Sequence, residues 1–341
     1  MATAVLALAA CGGTPATHEA PARCATPTAR STRMLSTTDP VPVLAIARGS
    51  SDLAIAYVDR PMLPRLAHLT LQHVALDGTI TGDPVVIGPV DQEIPGPVTV
   101  AFDGSDYVVC TIAVGGASCF RVAGSGPIGD PTMVLDTLAL AISNGPGGVM
   151  GAWLESEGLN VGPLDAPTGV VARTDAVPSI AVTDDGYVVG YEADAAAYVV
   201  RLDASGHASA PVMLGAAMAT SRVAVAHAAG RLGASFVAPS GDAMAAVVDG
   251  GHVAAAVIGP GAASHGQVGI APARDGFFAT WSDASGSIEG SFVDFSASPT
   301  GARFTHAVGA SDAAHAIVAL QDDFVLVATG ASVDVTLIGC P

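Results

Sequence analysis

The repeat unit of this chain is seen most clearly between Pro178 and Gly215, which reads PSIAVTDDGYVVGYEADAAAYVVRLDASGHASAPVMLG. Runs of β-branched and aromatic residues alternate there with the turn dipeptides Asp185-Gly186 and Ser205-Gly206. Gly tolerates positive φ and Asp bonds to nearby backbone, so both dipeptides favour tight turns. The stretch therefore predicts four short strands, A to D, at Ser179–Val182, Tyr187–Tyr191, Ala197–Leu202 and Val212–Leu214.

Strand B recurs along the chain, and its fifth position is aromatic in five of seven copies although only 5% of the residues are aromatic. The copies are Leu53–Tyr57, Tyr107–Thr111, Val149–Trp153, Tyr187–Tyr191, Leu232–Phe236, Phe277–Trp281 and Phe324–Ala328. We interpret the ring as a filler of the wedge between neighbouring sheets, rather than as a ligand platform, because a buried aromatic covers ~150–250 Å².

An apolar strand A precedes each strand B, and in six of the seven it carries a small residue near its middle, which suits strands that crowd around a common axis. The small residues are Ala45, Ala101, Ala141, Ala181, Ala224 and Gly269. A period of about 40–45 residues with four strands per unit is typical of a β-propeller blade. The pattern predicts an all-β, seven-bladed propeller of four-stranded antiparallel blades over residues 32–341.

The last unit lacks strand D, because the chain reaches Pro341 soon after its strand C at Val333–Ile338. The missing strand is matched near the other end by Arg33–Thr37, which resembles the D strands in placement and character. D strands often follow Pro, which is confined to sheet edges, so we expect them on the outside. The N-terminal strand is predicted to complete the last blade, which closes the ring and removes an open sheet edge.

The composition narrows the class of partner. Half of the 341 residues are hydrophobic, the net charge is −18, and every basic residue is Arg. Phosphate contacts need many Lys and Arg side chains, so nucleic acid is excluded as a partner. We expect a monomer.

The N-terminal stretch Leu8-Ala9-Ala10-Cys11-Gly12 resembles a bacterial lipobox, in which small residues precede a cysteine that becomes lipidated. The resemblance makes residues 1–10 the remnant of a signal peptide, and residues 11–31 the lipidated Cys11 with a flexible tether rich in Pro, Ala and Thr. The pattern departs from a signal peptide because no Arg or Lys precedes Cys11. An ordinary Ala-rich segment with a chance cysteine is the alternative.

The repeats from Arg33 onward resemble those of bacterial extracytoplasmic β-propeller lipoproteins, through Leu202-Asp203-Ala204-Ser205-Gly206 and its variants Leu76-Asp77-Gly78 and Leu164-Asp165-Ala166. The resemblance implies a place in the cell envelope, either anchored to the outer membrane or extracellular. Membrane contact would be through the lipid alone, because no other segment has ~18 uninterrupted apolar residues. The resemblance identifies no activity.

Four cysteines remain beside Cys11, which suits an oxidising compartment. Cys110 and Cys119 lie on strands B and C of one blade, joined by a turn at Gly115-Gly116 that brings them near each other. Cys24 precedes the closing strand and Cys340 follows the last one, so a bond between them would tie the termini. We predict both disulfides; unpaired buried thiols are the alternative.

None of the common catalytic motifs is present, and the nine His are scattered. On the face of the B–C and D–A loops, however, turn composition does not explain several acids, since Asp59, Glu192 and Asp194 have no Gly, Pro or Ser beside them. We predict a binding face that contains Asp59, Asp91, Glu93, Glu155, Glu157, Glu192 and Asp194. Solubility charge on an acidic protein is the simpler interpretation.

Two functions follow from this face. The first is a non-catalytic, surface-anchored binding or scaffold lipoprotein that recognises a protein or glycan. The alternative is a divalent-cation-dependent hydrolase or lyase with acids at the mouth of the axial channel, for which Ca²⁺ is the cation to expect, since it takes carboxylate ligands. An enzyme also needs a general base, and the sequence nominates none, so the binding protein is favoured and no cofactor is predicted for it.

Overall fold

The computed structural model describes residues 21–22, 24–35, 43–59, 67–90, 97–113, 115–164, 166, 169–174, 176–219, 221–262, 267–309, 314–329 and 333–339. The regular structure of these residues consists of β-strands, arranged as seven four-stranded antiparallel sheets. None of them forms a helix with the length and apolar character that crossing a membrane requires.

Each sheet is one blade, with strand A at the channel and strand D outside. The first described strand is β1 (Thr28–Leu35). Blade 1 follows it and consists of β2 (Leu44–Arg48), β3 (Asp52–Asp59), β4 (Ala67–Ala75) and β5 (Ile80–Val90). Blade 2 consists of β6 (Val98–Phe102), β7 (Tyr107–Ala113), β8 (Gly116–Ala123) and β9 (Gly126–Leu135). Blade 3 consists of β10 (Ala139–Gly145), β11 (Gly148–Glu155), β12 (Gly158–Pro163) and β13 (Gly169–Ala172).

Blade 4 is the repeat from which the fold was predicted: β14 (Ser179–Val182), β15 (Gly186–Ala193), β16 (Ala196–Asp203) and β17 (Val212–Ala216). Blade 5 consists of β18 (Ala224–Ala228), β19 (Arg231–Val237), β20 (Ala243–Asp249) and β21 (His252–Gly259). Blade 6 consists of β22 (Val268–Ala273), β23 (Gly276–Ser282), β24 (Ser287–Asp294) and β25 (Pro299–Ala307). Blade 7 takes β26 (His315–Ala319), β27 (Phe324–Thr329) and β28 (Val333–Gly339) from the C-terminal region.

The N-terminal strand closes the ring, as predicted. β1 pairs antiparallel with β28, from Thr28 opposite Gly339 to Leu35 opposite Val333, and supplies strand D of blade 7. The strand begins at Thr28 rather than at Arg33, and so includes the last residues of the segment assigned to the tether; Ser36 and Thr37 lie outside the described residues. Most of β1 is exposed and polar, so no alternation of apolar residues marks its start.

The segment before β1 is also attached to the ring. The Pro21 carbonyl accepts a 2.7 Å hydrogen bond from the Arg274 backbone N–H, and the Ala25 carbonyl accepts a 2.6 Å bond from the Ala302 backbone N–H. Both donors belong to blade 6, so Pro21 and Ala25 attach the segment before β1 to that blade.

The hydrophobic core is divided among seven clusters, and each cluster lies between two adjacent blades. The recurring aromatic of strand B belongs to them, and at most 2% of its surface is exposed in each of the five blades that have it: Tyr57, Trp153, Tyr191, Phe236 and Trp281. The interpretation of these rings as wedge fillers is confirmed. Because every cluster is shared by two blades, packing between blades stabilises the ring as one unit.

The cysteines of blade 2 form the predicted disulfide: Cys110 and Cys119 are directly opposite each other on β7 and β8. Cys24 is also disulfide-bonded. Cys340 lies outside the described residues, so its pairing with Cys24 stays a prediction, and Cys11 with residues 1–10 lies outside them too.

Candidate functional site

The seven inner strands line an axial channel, each in contact with the inner strands of both neighbouring blades. Two cavities occupy this channel, and together they share seven residues, one from each blade. The shared residues, which we call the aliphatic ring, are Ile46, Val100, Ile142, Ile180, Val225, Ile270 and Ile317. The ring lies between the two cavities, so it divides the channel into two chambers.

The first chamber lies between the aliphatic ring and the A–B turns, and we call it the A–B chamber. Its volume is about 370 Å³. Its polar lining includes Arg48, Asn144 and His227. Arg48 Nη1 donates to the Ala319 carbonyl at 3.2 Å, and His227 Nε2 lies 3.7 Å from Asp184 Oδ2. Burial lowers the pKa of both Arg48 and His227, so the chamber disfavours added positive charge.

The second chamber lies on the side of the D–A loops, and we call it the D–A chamber. Its volume is about 220 Å³. It is lined by the residues that enter the inner strands, most of them aliphatic, with Arg222 just before β18 and His315 at the start of β26. The hydroxyls on its wall are engaged: Thr99 Oγ1 accepts a 3.2 Å bond from the Ile142 backbone N–H, and Ser179 Oγ donates to the Val223 carbonyl.

His315 is held rigidly between blades 6 and 7. Only 2% of the residue is exposed. Its Nε2 is 3.0 Å from Thr280 Oγ1 and its Nδ1 is 3.2 Å from Ser282 Oγ. Burial, reinforced by the nearby Arg222 guanidinium, lowers the pKa of His315 to about 3. The imidazole is therefore neutral at neutral pH, and the two hydroxyls satisfy both ring nitrogens.

Arg222 has no such partners. Its side chain lines the D–A chamber, and among the residues that the structure describes no hydrogen bond or ion pair reaches its guanidinium. The Nε atom is fully buried and unsatisfied. Burial lowers the pKa of Arg222, with no carboxylate to offset it. An arginine nevertheless stays charged at neutral pH because its ordinary pKa is so high.

The predicted face acids that the structure describes lie on one side of the ring but make different contacts. Glu155 Oε1 accepts a 2.8 Å bond from Trp153 Nε1, so this acid fixes a core indole. Glu192 is buried, and its Oε1 accepts a 2.8 Å bond from the Ala195 backbone N–H in its own B–C turn. Glu157 is exposed in the B–C turn of blade 3 and Asp194 in that of blade 4.

Asp59 is the last residue of β3 and lies on the same side. Burial, together with the nearby Asp59 charge, raises the pKa of Tyr57 to about 12. Asp91 and Glu93 lie outside the described residues. Among the described residues, no three His, Cys, Asp or Glu side chains come together as a metal site would require, and none lining either chamber is Asp or Glu. The converging carboxylates that the hydrolase alternative needs are not found in this part of the chain.

Two acids of C–D turns, Asp203 and Asp294, bond to the backbone of their own turns. Asp203 Oδ1 accepts bonds from the Ser205 and His207 backbone N–H groups at 2.8 and 2.9 Å. These bonds hold the pKa of Asp203 below its usual range, and the bond from His207 has the largest effect. Asp294 makes the same pair of bonds to Ser296 and Ser298 at 2.9 and 3.0 Å.

A further cluster links blades 1 and 2. Asp52 Oδ2 lies 2.7 Å from His73 Nδ1, and its Oδ1 accepts a 2.8 Å bond from the Tyr107 hydroxyl. Burial raises the pKa of Tyr107 strongly, and the Asp52 hydrogen bond raises it further, so the phenol stays protonated. The cluster joins β3 and β4 to β7, which is a structural role.

Neither the aliphatic ring nor Arg222 was predicted from the sequence. The ring has a signal in the sequence, since in six blades an Ile or Val lies between two small residues: AIA, TVA, AIS, SIA, AVA and GIA. In blade 7 the triplet is AIV, with a small residue on one side only. Arg222 has a weaker one. Three positions before the ring residue, the seven blades have Val43, Pro97, Ala139, Val177, Arg222, Gln267 and Ala314, and only one of these is charged.

No family model matches the chain, and no curated protein is similar to it. Among solved structures, it is similar to the hydrazine synthase of Kuenenia stuttgartiensis with a TM-score of 0.57 and 12% identity, over 88% of this chain and 94% of that one. It is similar to the Dos1 propeller with a TM-score of 0.53 and 11% identity, over 92% and 95%. The SapL1 lectin, solved in complex with α-methyl fucoside, matches with a TM-score of 0.50 and 13% identity, over 89% and 98%. At these identities the similarities support the propeller fold and no function.

Proposed function

We propose that this chain is a non-catalytic binding protein that recognises a protein or glycan on the face of its B–C and D–A loops. The observation that carries the proposal is the pair Glu157 and Asp194. They occupy corresponding B–C turns of adjacent blades and are exposed, whereas the nearby Glu155 and Glu192 are bound within the fold. Polar groups on the loops of a rigid scaffold are where binding is usually found.

Glycans are the first class of ligand to test. The SapL1 lectin shares the fold and was solved with α-methyl fucoside. Carboxylates accept hydrogen bonds from sugar hydroxyls, and two acids on neighbouring blades provide two such acceptors. An enzyme reaction is not part of the proposal, because no described acid lines the channel where a cation-dependent reaction was expected.

The test is a glycan array, together with capture of envelope proteins, probed with the purified chain and with the double variant Glu157→Gln/Asp194→Asn. The variant keeps the shape of both turns and removes two charges, so we expect the dissociation constant of the bound ligand to rise at least tenfold. The matched control is Asp184→Asn, which removes an exposed acid from the A–B turn of blade 4 on the opposite face. Equal binding by the double variant and the control would refute the proposed face.

We also propose that Cys11 attaches the protein to the cell envelope, on the strength of the lipobox resemblance. Each buried CH₂ of an acyl chain contributes ~0.8 kcal/mol, so two or three chains anchor a protein stably. Incorporation of a labelled fatty acid during expression in a bacterium, and its loss in Cys11→Ser, is the measurement that decides this.

A further inference from the structure

The charge of Arg222 stands out against the rest of the molecule. The chain has a net charge of −18, with 31 acids for 13 arginines. Other arginines have taken acidic partners on the surface, as Arg30 with Asp323, Arg121 with Asp103 and Arg231 with Asp249. Arg222 is instead placed inside the D–A chamber, where no described residue is acidic.

An unpaired guanidinium in an enclosed space is costly, because it has lost part of its hydration and gained no opposite charge. The neighbouring His315 does not relieve this cost, since its two ring nitrogens are occupied by Thr280 and Ser282 and offer no acceptor to Arg222. Water that enters the chamber can hydrate the guanidinium, but only an anion that enters it would supply the opposite charge that the described walls lack.

We propose that the D–A chamber binds a small aliphatic carboxylate, with the carboxylate on the Arg222 guanidinium and the hydrocarbon part against the aliphatic ring. This site is separate from the proposed loop face and does not depend on it. A guanidinium has a planar fork that matches two carboxylate oxygens. One carboxylate also carries the single negative charge that one arginine neutralises.

The chamber wall determines the rest of the ligand. Its floor is the ring of Ile and Val side chains, and its other described walls are mostly aliphatic. The Thr99 and Ser179 hydroxyls are already engaged, so the wall offers a sugar ring few free partners. Inorganic phosphate fits poorly, because it brings close to two negative charges and no apolar surface. A chamber of about 220 Å³ has room for a short branched acid.

The experiment measures the thermal midpoint and the calorimetric binding of the purified chain with acetate, isovalerate and inorganic phosphate at constant ionic strength. We expect saturable binding of both carboxylates, with isovalerate tighter by about fourfold for each additional CH₂ group that becomes buried. Phosphate is expected to bind more weakly than isovalerate. Absence of saturable carboxylate binding, or phosphate binding that is the tightest of the three, would overturn the proposal.

Two variants locate the site. Arg222→Met removes the fork but keeps the volume, and we expect it to weaken isovalerate by about tenfold to hundredfold. Without ligand the same variant should unfold at a higher temperature than the parent, since an unpaired charge is gone; a purely structural arginine would give the opposite shift. Arg48→Met, on the other side of the aliphatic ring, should bind isovalerate like the parent. Equal loss in both variants, or none in Arg222→Met, would contradict the assignment.

Discussion

At the scale of single residues, His315 connects burial to the pH dependence of stability. Its folded-state pKa is about 3, because of burial first and the Arg222 charge second, against an ordinary value of 6.5. The unfolded chain therefore binds a proton at a pH where the folded chain does not. Stability from this group is complete above pH ~6.5 and is lost as the pH falls towards 3, by up to ~1.4 kcal/mol per pH unit.

Replacing His315 with Gln should flatten this dependence. An amide can still bond to Thr280 or Ser282, but it does not titrate. Between pH 6.5 and 4, unfolding of the variant should therefore take up to one proton fewer than unfolding of the parent. The slope of the free energy of unfolding against pH should be smaller by up to ~1.4 kcal/mol per pH unit. Urea denaturation at half-unit pH intervals measures the difference. The exposed His252→Gln is the control and should keep the parental slope. Identical slopes for the parent and His315→Gln would show that the imidazole is not shielded.

At the scale of strands, neighbouring blades pack so closely at some positions that only glycine fits there. A Cβ atom built on Gly233 in β19 would lie 2.6 Å from Cδ1 of Phe277, a fully buried ring at the start of strand B in the next blade. Gly233→Ala should therefore destabilise the protein by about 1–3 kcal/mol, because either the ring or the sheet must shift.

The matched control is Gly124→Ala in the C–D turn of blade 2, where a Cβ would meet nothing within 4 Å. It should be neutral or stabilising by up to ~1 kcal/mol, since Ala restricts the unfolded chain. Urea midpoints of the two variants measure this contrast. Equal stabilities would mean that the blades separate freely, contrary to the shared core clusters.

The strands were largely predictable, because alternating apolar residues and Gly-containing turns are local signals; strand A of blade 4 was predicted at Ser179–Val182 and observed there. β1 was placed too late because an exposed outer strand has no alternation to mark its start. Arg222 was not predicted, since the direction in which a residue before strand A points depends on the packing of seven blades. The contacts of Glu155 and Glu192 were not predicted either, because a sequence does not show that Glu155 bonds to Trp153 or that Glu192 bonds within its own turn.

At the scale of the whole molecule, the ring depends on its N-terminal segment. β1 covers the edge of β28 and buries Leu35, while Pro21 and Ala25 bond to blade 6. Without β1, the backbone groups of β28 would form an open edge that favours aggregation. The mostly exposed β1 is suited to this place, because most of the side chains that it presents to other chains are polar.

A chain that begins at Val43 should therefore be much less stable than one that begins at Pro21. The shorter chain loses the β1 hydrogen bonds, at about 1 kcal/mol each, and the burial of Leu35, worth about 1.5–3 kcal/mol. It also loses the disulfide of Cys24. We expect its thermal midpoint to fall by about 10 °C or more, with aggregation that increases with concentration. The chain from Pro21 keeps every described contact of the closing strand and should match the full chain.

Adding a synthetic peptide of residues 21–35 should raise the thermal midpoint of the shorter chain again, because the peptide can pair with β28. Equal midpoints for the two truncated chains would show that blade 7 is stable with three strands.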